Sequence, residues 1–162
     1  MKRVVAVLAL LVMAVAVGAV LAVPTNFVAH LSGGEEVPAN DSRAQGQAVF
    51  QLRDDGLHYR LIVANIENVT MAHIHLAPAG ANGPVVVWLY PSAPPAQLIP
   101  GRSNGVLATG VITSANLVGQ LAGQSLDALI EHLTNGNAYV NVHTSQFPGG
   151  EVRGQIRLAG PR

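Results

Sequence analysis

Apolar residues in this chain recur at every second position, in short runs that Gly, Pro and Asn interrupt. A two-residue period belongs to strands with one face in a core, because helical side chains repeat every 3.6 residues. Leu57, Tyr59, Leu61 and Val63 share one face of such a run, and His58 and Arg60 begin the other. Similar runs are Phe27–Leu31, Gln47–Arg53, Thr70–Leu76, Val85–Tyr90, Val106–Thr113, Ala138–Thr144 and Glu151–Leu158. Many short strands separated by turn residues predict an all-β chain, an antiparallel β-sandwich or barrel.

Two stretches depart from the pattern. Pro91-Ser92-Ala93-Pro94-Pro95 lacks the amide donors of a central ladder and reads as a surface loop. Ser125–Leu133 predicts one short helix, with Ser125 at its N-cap and Leu126, Leu129, Ile130 and Leu133 on one stripe.

The N-terminus has a different character. Lys2-Arg3 precedes an uncharged apolar run from Val4 to Val23, with Val20-Leu21-Ala22 as a small-residue cleavage site. Residues 1–22 therefore read as a signal peptide, or as an uncleaved membrane anchor, since about 20 apolar residues span a bilayer. Either reading places the remainder outside the cytoplasm: secreted, periplasmic or in the cell envelope. That remainder suits a single domain over 27–159.

The 162-residue chain has no cysteine, which excludes thiol catalysis, Cys-based zinc sites and disulfides. Nine basic and nine acidic residues balance without a basic stripe, so nucleic acid is not an expected partner. A membrane contact is expected only if residues 1–22 stay attached. Gly-x-Ser-x-Gly is absent, which disfavours a serine hydrolase.

The chemistry-bearing residues concentrate in two runs. In Thr70–Leu76, the apolar face is Ala72, Ile74 and Leu76, so His73 and His75 point away from the core together with Met71. In Ala138–Thr144 the same parity turns Tyr139, Asn141 and His143 outward. In the last run Val152, Ile156 and Leu158 go inward, and Glu151, Arg153, Gln155 and Arg157 go outward. If these last two runs form a hairpin, Glu151 or Arg153 stands across from His143, and Glu151 would orient its ring.

Two readings of the histidines stand side by side. An i, i+2 pair can be ordinary polar surface on a sheet. It can equally be two ligands of a Zn or Cu ion, with His143 the third, because neutral imidazoles suit these metals better than Ca or Mg. His30 reads as strand-end, His58 as exposed sheet and His132 as helix surface. Glu35-Glu36 reads as solvated loop, since neighbours on an extended segment point apart. Trp88 reads as core or rim packing, with ligand contact as the alternative, and Arg153 and Arg157 as a salt bridge or exposed sheet polarity. Asn40-Asp41-Ser42 and Asn68-Val69-Thr70 match the N-glycosylation tripeptide, and Asn68 reads as the start of a turn before the histidine strand.

A family pattern runs through the same residues. Leu31-Ser32-Gly33-Gly34-Glu35-Glu36-Val37-Pro38, Gly46–Phe50, Asn68–His75, Gly83–Val86, Ala138–Thr144 and Pro148–Ile156 follow one another in the order and spacing of the CHRD domain, which this chain resembles from Phe27 to Leu158. The resemblance implies an extracellular binding or structural module rather than an enzyme, as in chordin, with an extracellular or envelope protein as partner. The histidine layout is also loosely similar to the Cu/Zn superoxide dismutase sandwich. That similarity implies an alternative: a Cu- or Zn-binding domain using His73, His75 and His143, with dismutase-like redox chemistry. The dismutase-type disulfide is impossible here, and no His-rich loop follows His75.

Overall fold

The computed structural model describes residues 26–160, so the predicted signal or anchor segment lies outside the described residues. Its elements are β1 (Asn26–Ser32), β2 (Gln45–Arg53), β3 (Gly56–Leu76), β4 (Val85–Tyr90), β5 (Ile99–Ile112), helix α1 (Leu126–Thr134), β6 (Ala138–Thr144), β7 (Val152–Gln155) and β8 (Arg157–Leu158). Every ladder between these strands is antiparallel, as the alternation predicts.

One strand organises the rest. β3 is 21 residues long, and its first half pairs with β2 while its second half pairs with β6. Because β2, β1, β7 and β6 are themselves laddered in that order, β3 closes them into a five-membered ring. A ring leaves those strands fewer free edges, which is the benefit of barrel closure. β5 lies along the other edge of the first half of β3, and β4 along the other edge of the second half.

The sequence predicts two separate runs where the structure has this single strand. Asn65 and Asn68 look like turn residues, and both do adopt positive φ, 56° and 55°. Asn tolerates that region better than most side chains. Here each holds an irregularity in a continuing strand: the Asn65 amide donates to Asn104 Oδ1 at 2.8 Å, and Asn68 Oδ1 accepts from the Gly101 amide at 2.8 Å. The ladder to β5 shifts register at these points, as bulges do, and the two halves of β3 serve different neighbours. Asn68 is therefore a bulge residue inside a strand and not the start of a turn.

Two other boundaries differ. β5 begins at Ile99, well before Val106. The last run breaks at Ile156, whose amide donates to Ala138, and Leu158 beyond it is 44% exposed rather than inward. The helix is as expected, with Leu129, Ile130 and Leu133 buried, although Ser125 caps it without a side-chain hydrogen bond.

The core collects the predicted faces: Leu57, Leu61 and Val63, then Ala72 and Ile74, then Val140 and Val142, with Phe27, Leu89 and Leu133. Each large side chain fully buried this way contributes about 1.5–3 kcal/mol. The opposite face of the second half of β3 carries the histidines.

Candidate metal centre

Register alone sets the residues of this face in rows. His73 pairs with Trp88 on β4 and Asn141 on β6, and Asn141 pairs with Arg153 on β7. On one side of that row, His75 pairs with Tyr139, which pairs with Gln155. On the other side, Met71 pairs with His143, and Glu151 immediately precedes β7, its amide donating to Val142 O at 2.8 Å. Parity thus gathers His73, His75 and His143 on three rungs of one ladder, as the sequence predicts.

Their surroundings differ from the expectation. The face points away from the apolar core, yet His73 is 3% exposed, His143 7% and His75 9%. Three connecting segments cover it: 33–44, 77–84 and 145–150. Arg153 ties down the second by donating to Ala81 O at 2.8 Å, Asn82 Oδ1 at 3.1 Å and, weakly, Pro78 O at 3.4 Å. Asn82 in turn donates to Val37 O at 2.8 Å, joining the first two segments. Arg153 is therefore a buried clamp and not exposed polarity; Arg157 is exposed as expected.

Glu151 also departs from its expected role. Its carboxylate accepts from Ser42 Oγ and Thr144 Oγ1, both at 2.7 Å, and so fastens the 33–44 segment instead of orienting His143. A backbone carbonyl does that work: His143 Nδ1 lies 3.0 Å from Pro148 O. Glu36, expected in solvent, is buried and accepts from Asn141 Nδ2 at 2.7 Å, whereas Glu35 is exposed. Burial raises the Glu36 carboxyl to about 7, against the opposing effects of the Asn141 hydrogen bond and the Arg153 charge. Strand parity gives no sign of the Pro148 and Glu36 contributions, one a main-chain carbonyl and the other in an aperiodic segment; the signal that marked both stretches is the family pattern.

The rings form one packed group. His73 meets Trp88 edge-on with centroids 4.2 Å apart, so Trp88 is a wall of the site. His75 stacks on Tyr139 at 4.9 Å with 10° between planes, and the Arg153 guanidinium lies 3.5 Å from the centroid of the same Tyr139 ring. The Tyr139 hydroxyl accepts from the Gly83 amide, and Gly83 O receives the His75 Nδ1 proton at 2.9 Å. His30 is exposed, His58 pairs with Asp55 at 2.6 Å, and His132 lies on α1; none joins this group.

The hydrogen bonds fix the tautomers by inference. With Nδ1–H of His75 and His143 given to carbonyls, both Nε2 atoms carry lone pairs. His143 Nε2 sits 3.2 Å from His73 Nδ1, while His73 Nε2 and His75 Nε2 are buried with no hydrogen-bond partner. Buried polar atoms without partners are uncommon and are a mark of ligand sites. Burial holds His73 at about 3 and His75 at about 4, and lowers His143, so all three rings are neutral at pH 7, the form that binds metals.

One ligand nitrogen from each ring lies within 4.8 Å of the others. A tetrahedral ion with bonds of about 2.0–2.1 Å sets its nitrogens about 3.4 Å apart. The 3.2 Å between His73 Nδ1 and His143 Nε2 is close to that spacing, so an ion bound there takes the place of the proton the two rings share; the 4.8 Å that bounds the set must close by about 1.4 Å. No other group of this kind occurs among the described residues. No helix of the described residues is long and apolar enough to cross a membrane.

The sequence model of the CHRD domain matches residues 27–156. No curated protein and no solved structure matches the chain.

Proposed function

The chain belongs to the CHRD domain family, and on that premise we propose that it is an exported binding module whose ligand is a Cu or Zn ion held by His73, His75 and His143. One observation carries the reading: the Nε2 atoms of His73 and His75 are buried without partners, and the third ring, His143, lies against the other nitrogen of His73, 3.2 Å from Nδ1. Structural histidines satisfy both nitrogens or expose one. These keep their lone pairs free inside a cover of three segments. The Nδ1 hydrogen bonds to Gly83 and Pro148 supply the orientation that metal-bound imidazoles usually receive from neighbouring groups. The apolar signal-like start, Val4 to Val23, supports export.

Elemental analysis of the chain, purified without a polyhistidine tag and exposed to Cu or Zn, tests the proposal. One ion per chain is expected, with a His73→Ala, His75→Ala double variant retaining less than a tenth of it. A wild-type chain with no bound metal after exposure would remove the reading.

A second reading, a docking module for an extracellular or envelope protein, draws support from β5. That strand is laddered to β3 alone among the described residues and presents Val106 at 50% exposure and Val111 at 38%. Unpaired edges with apolar side chains favour association. The two readings use opposite ends of β3 and are compatible.

A further inference from the structure

We propose that the site is built for monovalent copper, with the thioether of Met71 as its fourth donor. The inference rests on the three-imidazole reading and goes beyond it in naming the ion and a ligand. Met71 stands directly across the ladder from His143 and two positions before His73, in a stretch where the register to β6 is regular from Met71 to Leu76. Cross-strand partners have Cβ atoms about 4.5–5.5 Å apart, and methionine's three flexible bonds let its sulfur swing across such a gap. Met71 is half-buried, at the rim of a face whose histidines are otherwise sealed.

The other polar groups nearby are committed. Glu151 is bonded to Ser42 and Thr144, Asn141 to Glu36, and the Tyr139 hydroxyl to the Gly83 amide. What remains for the fourth position is a neutral, soft sulfur. Thioethers prefer Cu(I), whereas zinc sites draw on thiolate, imidazole or carboxylate.

Charge points the same way. Arg153 is 2% exposed and its hydrogen-bond partners are uncharged carbonyl and amide oxygens, while the buried carboxyls of this face are bonded elsewhere, Glu36 to Asn141 and Glu151 to Ser42 and Thr144. A site with neutral donors next to a buried guanidinium accepts one positive charge at far lower desolvation cost than two.

The test uses the tag-free full chain and its Met71→Leu variant, a volume-conserving change. Anaerobic competition titrations with Cu(I), silver(I) as its redox-inert analogue and Zn(II) give three affinities. Met71→Leu is expected to weaken Cu(I) and Ag(I) at least tenfold while Zn(II) stays within twofold. The Met71 methyl resonance, identified by its absence in the variant, is expected to shift on addition of one equivalent of Ag(I). Unchanged Cu(I) and Ag(I) affinities, an unmoved methyl signal or an equal loss of Zn(II) would overturn the assignment. The His73→Ala, His75→Ala variant separates the two levels of the argument. If it still binds Cu(I), the three-imidazole reading itself fails; if it loses Cu(I) while Met71→Leu does not, only the Met71 assignment fails.

Discussion

Replacing Arg153 with alanine is expected to destabilise the domain by about 2–5 kcal/mol, from a charge-assisted hydrogen bond and a buried cation–π contact, a large share of the 5–15 kcal/mol that holds a typical domain folded. The guanidinium sits almost wholly out of water, and carbonyl dipoles and the Tyr139 face surround its charge. Removing it takes the charged donor from the half-buried Ala81 carbonyl, a bond worth about 1.5–3 kcal/mol, while Asn82 Oδ1, on an exposed residue, turns to water. It also removes the cation from the Tyr139 ring, on which His75 stacks, and frees the 77–84 segment that roofs the histidines. Arg153→Lys is expected to recover little, because an ammonium cannot reach partners in different directions as the planar fork does. Urea unfolding measures the loss, and amide exchange should show segment 77–84 opening first. A change below about 1 kcal/mol, the scale of an exposed polar residue, would mean that Arg153 is not a clamp.

The metal-free protein is expected to lose stability steadily as pH falls from 6.5. The folded His73 and His75 titrate at about 3 and about 4, against 6.5 for an unperturbed ring. Between pH 6.5 and 4 the unfolded chain holds more protons on these rings than the folded chain, so stability falls with pH. Each ring contributes about 1.4 kcal/mol per pH unit in that window, and His143 shifts in the same direction. Glu36 works against them. Its folded carboxyl titrates at about 7 against 4.5 unperturbed, so between those values the folded chain holds the extra proton and gains stability as pH falls. Two rings against one carboxyl leave a net loss of roughly 3 kcal/mol between pH 6.5 and 4.5, before His143 adds to it. Urea midpoints across that range check the slope. Glu36→Gln should steepen it, and a His73→Gln, His75→Gln double variant should flatten it. A wild-type midpoint that stays constant over the range would contradict the buried, neutral state of the rings.

The alternation of apolar residues carried much of the fold. Val85–Tyr90 and Ala138–Thr144 have the boundaries that the pattern predicts, and Leu126, Leu129, Ile130 and Leu133 form the helix stripe. Long-range pairing was less legible. Asn65 and Asn68 carry the local signature of turns, and only the ladders to β5 and β6 decide that the chain runs straight through them. For the site, strand parity brings His73, His75 and His143 to one face because the two-residue period is local and rigid. The burial of that face depends on segments without periodicity, held by single bonds between residues more than 70 positions apart, such as Arg153 to Ala81. Glu151 shows the same limit. Its place in the register follows from the hairpin, but its carboxylate turns toward Ser42, a residue that no local rule connects to it.

Anomalous diffraction from crystals of the tag-free chain soaked in copper or zinc tests the central claim most directly. One peak is expected, about 2.0–2.1 Å from a ring nitrogen of each of His73, His75 and His143, with the Gly83 and Pro148 carbonyls still holding the opposite nitrogens. A fully soaked crystal with no density among these rings, or with metal only at His30 or His58, would contradict it.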